Sequence, residues 1–202
     1  MDELLKNILE CIEFVSDYAT ADLAEITETW DRCSQTHSGL VEKINLTWRV
    51  SLEADFLEEF PDIRTKLAKK LERFSNEQLS VLHSLIKRVS CKNESLKTKL
   101  EKINNRLEQI SFEEHNELKH SVREHVIWIE NCWMSFHCLY LQIEFAMMSL
   151  QVLDEESACN LVDAIKQSEE HKLTLRKSHS YTQSCLSLIK FVENKSKIKI
   201  NV

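Results

Sequence analysis

Residues 79–110 read LSVLHSLIKRVSCKNESLKTKLEKINNRLEQI and carry the clearest helical pattern of the chain. Apolar residues recur there in alternating steps of three and four, and one polar residue stands among them. The series is Leu79, Leu82, Ile86, Val89, Asn93, Leu96, Leu100, Ile103, Leu107 and Ile110. A mean step of about 3.5 residues keeps such a stripe facing a partner helix, which is typical of a left-handed coiled coil. We therefore expect a long helix with a buried seam. Asn93 is either a buried residue that fixes the register of two helices by pairing with a second amide, or a polar residue at an exposed turn.

The rest of the sequence extends the helical prediction. One Gly and one Pro in 202 residues exclude folds that need glycine at positive φ, including β-hairpins and phosphate-binding loops. A first amphipathic pattern runs over residues 4–44 with a gap at His37, and Gly39 is either a tolerated helical residue or a local kink. The apolar stripe of this pattern comprises Leu4, Ile8, Ile12, Val15, Ala19, Leu23, Ile26, Trp30, Cys33, Leu40 and Ile44. Pro61 predicts that a further helix starts just after Phe60. The predicted fold class is all-α: an elongated helical bundle of long antiparallel helices with coiled-coil segments.

Further helix starts are predicted from capping patterns. At 75–78 and again at 111–114, Ser is followed three residues later by Gln or Glu, as in a capping box. The helix after the second box has a main apolar stripe over 122–150, and additional apolar residues widen it. A helix that is apolar on so many sides is expected at the centre of a bundle. The acidic residues at 154–156 predict the start of the last helix.

Charge and cysteine content indicate which partners and which cellular compartment suit the protein. The net charge of −7 argues against nucleic-acid binding as the main function. Seven cysteines without a C-x-x-C pair are typical of reduced thiols in the cytoplasm or nucleus. The start of the chain is acidic and then amphipathic, unlike a secretory signal, and the longest run without a charged residue, 131–143, is too short to span a bilayer. We expect a soluble protein of the cytoplasm and nucleus with one helical-bundle domain over 1–193 and a flexible basic tail over 194–202.

Residues suited to catalysis or metal binding do not form a convincing pattern. His115, His120 and His125 are spaced by five, which turns them by roughly 140° on a helix instead of bringing them together. Runs of Glu are explained by solvated helix faces. We therefore predict no enzyme activity, no catalytic residues, no cofactor and no metal site. Trp128 lies beside the apolar stripe and is either a contact residue for a partner or part of the core.

Residues 60–67, Phe60-Pro61-Asp62-Ile63-Arg64-Thr65-Lys66-Leu67, follow the long first pattern. This octapeptide resembles the F-P-D-[LI]-[KR]-x-[KR]-L stretch of the AIRIM family, ribosome-maturation factors also described as casein-kinase-two substrates. Diffuse matches at Trp30 with Cys33 and at 128–130 accompany it. The resemblance implies a non-enzymatic helical subunit of a heteromeric AAA-type ATPase complex that acts on pre-60S particles. It also implies a small helical companion subunit.

The predicted partner-binding residues are Phe60, Pro61, Asp62, Leu67, Asn93 and Trp128. The first four form either an exposed recognition corner or simply the turn between two helices. The predicted function is that of an adaptor in maturation of the large ribosomal subunit, with only indirect contact with pre-60S particles and no direct nucleic-acid or membrane partner. The alternative is a structural coiled-coil tether in a cytoskeletal, kinetochore or trafficking complex.

Overall fold

A computed structural model describes residues 2–49, 62–109 and 116–166, with residues 176, 177, 180, 181 and 184 near the end of the chain. In order, the elements are α1 (Asp2–Asp17), a π-helical turn (Tyr18–Asp22), α2 (Leu23–Arg49), α3 (Ile63–Gln109), α4 (Asn116–Met148) and α5 (Glu155–Asp163). No strand occurs within these ranges, so the all-α bundle prediction is confirmed. The elongated, antiparallel and coiled-coil features stay predictions. None of the described helices is both long and apolar enough to cross a membrane.

The chain divides into two compact units. Unit 1 comprises Met1–Ala24, Val89–Cys138 and Gln167–Val202, and unit 2 comprises Glu25–Arg88 and Leu139–Lys166. The single domain expected over 1–193 stays a prediction. The tail 194–202 lies outside the described residues, as do Phe60, Pro61 and the capping pattern at 111–114.

Unit 1 has a polar group at the middle of its apolar core. Asn93 is only 4% exposed, and its Oδ1 accepts a hydrogen bond from the Tyr18 hydroxyl at 3.3 Å. Its Nδ2 donates to the Phe136 carbonyl at 3.2 Å, and the ring centroids of Tyr18 and Phe136 lie 4.4 Å apart. Asn93 therefore occupies the buried one of its two predicted environments. Its partners are a phenol and a backbone carbonyl instead of a second amide.

Unit 2 is held by contacts of α2 with α3 and α5. Trp30 is fully buried, as its position on the stripe predicts, and its indole Nε1 donates to the Leu161 carbonyl at 3.1 Å. His37 and Ser75 are also buried, and His37 Nδ1 is hydrogen-bonded to Ser75 Oγ at 2.8 Å. A buried histidine needs such a partner because an unpaired polar group would lose its hydration without compensation. The gap at His37 in the apolar pattern is thus filled by a hydrogen-bonded pair.

The helix start predicted at Ser75 is wrong. α3 begins at Ile63 and runs without interruption past Ser75, whose hydroxyl bonds to His37 instead of capping a helix. The buried side of α3 continues through small residues at steps of seven. The buried residues at this spacing are Ala68, Ser75, Leu82, Val89, Leu96 and Ile103. The predicted seam therefore extends further toward the start of α3 than the large apolar residues indicate.

The first helical pattern is interrupted at Tyr18 and not at Gly39. Gly39 lies inside α2, where a Cβ would have nothing within 4 Å. Between α1 and α2 the Leu23 N–H donates to the Tyr18 carbonyl, a five-residue bond that adds one residue to the turn. The sequence pattern placed Ala19 on the buried stripe, but Tyr18 is buried there at 1% exposure and Ala19 is half-buried.

The start of α5 is as predicted. The Asp154 carboxylate accepts a hydrogen bond from the Ser157 N–H at 2.7 Å, and Glu155 and Glu156 lie in the first turn. Acidic side chains are favourable there because the first N–H groups of a helix are unpaired and carry partial positive charge. Leu153, just before the cap, has a φ of 57° in the left-handed region. This conformation turns the chain sharply from the end of α4 into α5.

Candidate functional site

Four large apolar side chains are exposed along the first half of α3. Ile63, Leu67, Phe74 and Val81 are each 39–46% exposed, and we call them the α3 apolar row. Steps of four, seven and seven residues place them on one side of the helix within an arc of about 40°. They border the buried side of α3 that Ala68 and Ser75 form. The row is therefore a second apolar face, adjacent to the core but open to solvent.

The α3 apolar row has a cationic border. Between residues 63 and 74 the sequence contains five basic residues and one acidic residue. Helical geometry places Lys66, Lys70 and Arg73 along the side of the row that faces away from the core. The Arg73 Nε lies 3.3 Å from Glu77 Oε1, whereas Lys66 and Lys70 are exposed and make no ion pair with any described residue. The row and its border together form an amphipathic surface with a local positive charge.

The opposite flank of α3 lines a cleft of about 440 Å³ within unit 2. Its apolar wall comes from α2, α3, the end of α4 and the segment between α4 and α5, and its polar groups come mostly from α3. The apolar lining is Val41, Ile44, Leu79, Met147, Leu150, Val152 and Leu153, and the polar lining is His37, Glu72, Ser75, Asn76, His83 and Gln151. This volume lies in the range of small-ligand sites.

The serine and histidine in the cleft have a structural arrangement. Burial lowers the pKa of His37 below its usual value, and a hydrogen bond with the Ser75 backbone opposes that shift only in part. A nucleophilic serine would need an exposed Oγ and free N–H donors for the developing oxyanion. Ser75 is only 6% exposed and lies in the interior of a helix, where backbone N–H groups are used by helical bonds. The pair therefore joins α2 to α3.

Two of the predicted site residues lie at the start of α3. Asp62 is exposed in the turn before the helix, and its carbonyl accepts a hydrogen bond from the Lys66 N–H at 2.9 Å. Leu67 is 46% exposed and belongs to the α3 apolar row. Phe60 and Pro61, the other half of the predicted recognition corner, lie outside the described residues.

The remaining two predicted site residues belong to unit 1. Asn93 is buried and bonded within the chain, as described above. Trp128 is half-buried. The centroid of its ring lies 5.3 Å from the ring centroid of Tyr181, and the two ring planes are inclined by 38°. Its indole Nε1 is buried without a hydrogen-bond partner among the described residues. Trp128 therefore packs against a later part of its own chain.

The sequence predicts that α4 is covered on several sides at the centre of a bundle, but one side of the helix is exposed. Leu141, Phe145 and Met148 are 47%, 72% and 81% exposed. Ile127 and Met134 are also more than half exposed, and they stand seven residues apart in phase with Leu141. The sequence marked this helix as unusually apolar but gave no signal that this side faces solvent.

The described thiols and imidazoles do not form a metal centre. No group of three or more His, Cys, Asp or Glu residues is placed to hold an ion within the described part of the chain, and the side chains of His115 and His120 lie outside it. Cys11 is buried, and this burial raises the pKa of its thiol to about 11. A thiol that stays protonated at neutral pH is a poor nucleophile and a poor ligand.

No family model matches the chain, and neither a curated protein nor a solved structure matches it. A functional proposal therefore depends on the α3 apolar row, its cationic border and the resemblance of residues 60–67 to the AIRIM family.

Proposed function

We propose that this protein is a non-enzymatic docking subunit that binds a partner protein along the first half of α3. Rows of exposed large apolar side chains are uncommon on monomers and are typical of protein interaction sites. The observation that carries the proposal is the position of Leu67. This residue belongs both to the octapeptide that resembles the AIRIM family and to the α3 apolar row, where it is 46% exposed.

The finer form of the proposal follows the resemblance. The partner is then a heteromeric AAA-type ATPase with a small helical companion subunit, in the cytoplasm and nucleus. This chain acts as an adaptor in maturation of the large ribosomal subunit and supplies no catalytic, cofactor or metal chemistry. Asp62 and Leu67 are the described residues of the octapeptide that we assign to the contact, because both are exposed at the start of α3.

The exposed side of α4 favours a second candidate function, that of a coiled-coil tether. Ile127, Met134, Leu141 and Met148 are 47–81% exposed at successive steps of seven residues. Seven-residue spacing is the repeat that a second helix needs to pack along the first. A cytoskeletal, kinetochore or trafficking partner would then contact α4 instead of α3.

Affinity purification of the tagged full-length chain, followed by quantitative mass spectrometry, separates these candidates. The decisive variant is Leu67→Glu, which puts a charge into the α3 apolar row. Leu46→Glu is a matched control because Leu46 is also an exposed leucine of unit 2, 47% exposed, but lies on α2 outside the row. Circular dichroism first establishes that both variants keep the helicity of the wild type.

We expect Leu67→Glu to lose an AAA-type ATPase and pre-60S factors that wild type and Leu46→Glu recover. Recovery of the same proteins by all three chains would contradict docking at the row. If tubulin, motor or vesicle-coat proteins are recovered instead, and Leu141→Glu with Met148→Glu removes them, the tether replaces the adaptor.

A further inference from the structure

We infer that the occupant of the α3 apolar row is an acidic amphipathic helix of a partner protein. Its apolar side chains lie against the row, and its carboxylates face Lys66, Lys70 and Arg73. This inference rests on the proposed docking function and adds the chemical nature of the partner segment, which neither the resemblance nor the function specifies.

The shape of the row fits a helix. From Ile63 to Val81 the row covers 19 residues, and the 18 steps between its ends correspond to about 27 Å and five helical turns. Its residues are each more than half covered, so they form a shallow ridge beside the core and not a projecting wedge. Helices pack on such ridges at separations of about 8–10 Å, with apolar residues every three or four positions.

The charge next to the row selects an acidic partner. Within the described part of the chain, Lys66 and Lys70 are exposed and make no ion pair, and the ion pair of Arg73 is with its exposed neighbour Glu77. The chain as a whole has a net charge of −7, so this cationic border is a local exception. Complementary charge at the rim of an interface speeds association and selects the partner. Carboxylates at helical spacing therefore complement the border.

Other occupants fit less well. A bilayer would require apolar side chains to insert about 5–10 Å, whereas the side chains of the row are more than half covered. Nucleic acid would meet a chain of net charge −7 and an apolar row where it needs cations. In an antiparallel symmetric dimer through the row, two copies would place the same cationic borders against each other. Each of these occupants is an outcome of the test below.

The test uses the full chain and two fluorescent 18-residue helical peptides. Both carry leucine at alternating steps of four and three, with glutamate beside the leucines in the acidic peptide and lysine in the basic one. Binding is measured by fluorescence anisotropy at about 50 and 500 mM NaCl. Vesicles of phosphatidylcholine with phosphatidylserine are tested by sedimentation, and self-association by analytical ultracentrifugation.

Three variants locate the binding. Lys66→Glu/Lys70→Glu reverses the cationic border, and Leu67→Glu disrupts the row. The matched control is Lys43→Glu/Lys87→Glu, which makes the same change in net charge at two exposed lysines of unit 2 outside the border. We expect saturable binding of the acidic peptide that weakens on the order of 10-fold on border reversal, weakens at high salt and is lost in Leu67→Glu. The control should bind like wild type.

Every other outcome overturns the inference. Absence of saturable acidic-peptide binding, equal binding of the basic peptide, or equal weakening by the control pair would each do so. Stable binding to the anionic vesicles, or a dimer that Leu67→Glu dissociates, would replace the acidic helix by a membrane or a second copy. The docking function fails separately, when the purification experiment shows no effect of Leu67→Glu. If that experiment shows a loss but border reversal retains all partners, docking stands and the acidic partner does not.

Discussion

At the residue scale, the bond between Ser75 Oγ and His37 Nδ1 links α2 to α3 inside unit 2. Replacing Ser75 by alanine leaves the buried His37 Nδ1 without its hydrogen-bond partner, which destabilises the folded state. Alanine has a higher helix propensity than serine, but the stabilisation from this difference is smaller than the cost of the lost hydrogen bond. We expect Ser75→Ala to lower the free energy of unfolding by about 1–2 kcal/mol. Urea titration followed by circular dichroism measures it. Ser80→Ala is the control, because Ser80 is an exposed serine of the same helix, and an equal effect of the two substitutions would rule out a role for the pair.

The same histidine makes the stability depend on pH. Burial lowers the pKa of His37 in the folded chain below its ordinary value of 6.5, so the unfolded chain takes up this proton at higher pH than the folded chain does. The stabilisation from neutral His37 is fully present above pH 6.5 and is lost as the pH falls below it. We expect the urea midpoint to decrease between pH 7 and pH 5.

The slope with pH is the informative quantity, because His37→Gln also removes packing. In His37→Gln the decrease of the midpoint between pH 7 and pH 5 should be smaller than in wild type. Asn76→Ala changes an exposed residue that lines the same cleft but does not titrate, so it should keep the wild-type slope. An unchanged slope in His37→Gln would show that other groups cause the dependence.

At the element scale, the π-helical turn at Tyr18–Asp22 keeps two buried residues in phase. Tyr18 and Leu23 are both buried although they stand five residues apart, a step that an α-helix would turn by about 140°. The turn accommodates one residue more than an α-helix would. Deleting the exposed Ala21 shortens the step to four, which an ordinary α-helix places on one face. We therefore expect this deletion to change the free energy of unfolding by less than about 1 kcal/mol.

A second deletion tests that reasoning. Thr36 is exposed in the regular part of α2, where removal of one residue rotates everything beyond it by about 100°. We expect its deletion to abolish cooperative unfolding or to cost more than about 4 kcal/mol, measured by circular dichroism and urea titration. Comparable losses for the two deletions would show that the π-helical turn does not absorb a residue.

Helical periodicity in the sequence predicts the helices with large apolar residues, but it misses the start of α3 and the π-helical turn. Steps of three and four predicted the apolar helices because large aliphatic residues mark a buried face. The start of α3 was missed because its buried side continues through Ala68 and Ser75, which are small and resemble surface or capping residues in a sequence. The π-helical turn was missed because its signal is a single shift of phase between Tyr18 and Leu23, and Ala19 offered an alternative that fits an uninterrupted helix.

At the scale of the whole molecule, the candidate site was predictable only at its start. Ile63 and Leu67 lie in the octapeptide, and Leu67 was predicted as a contact residue. Phe74 and Val81 belong to a row that exists because α3 continues past Ser75. α3 carries two series at seven-residue spacing, and periodicity alone does not show which is covered. The structure buries the series through Leu82 and exposes the one through Val81. Which of the two series is buried depends on the helices that pack against α3. The positions of those helices depend on the packing of the whole bundle and not on the periodicity of α3 alone.

Whether the molecule unfolds in a single transition depends on its three longest helices. α2, α3 and α4 each contain a boundary between the two units, at Ala24/Glu25, Arg88/Val89 and Cys138/Leu139. Because helix propagation is cooperative, ending three helices at once at internal positions is unfavourable. We therefore expect damage to the core of unit 1 to lower the stability that is measured in unit 2.

The substitution Leu96→Ala creates a cavity in the core of unit 1, because Leu96 is fully buried there. This truncation lowers the free energy of unfolding by about 2–5 kcal/mol. The probe is Trp30, fully buried in unit 2, in a background where Trp48, Trp128 and Trp133 are replaced by Phe. One cooperative domain requires the Trp30 fluorescence midpoint in urea to fall by the same amount as the helical signal in circular dichroism. If the Trp30 midpoint stays in place while circular dichroism shows two transitions, the units unfold separately and the single domain predicted over 1–193 is wrong. Coincident transitions would mean that a partner bound at the α3 apolar row in unit 2 also stabilises unit 1, since binding to the folded state alone shifts the unfolding of everything that unfolds with it.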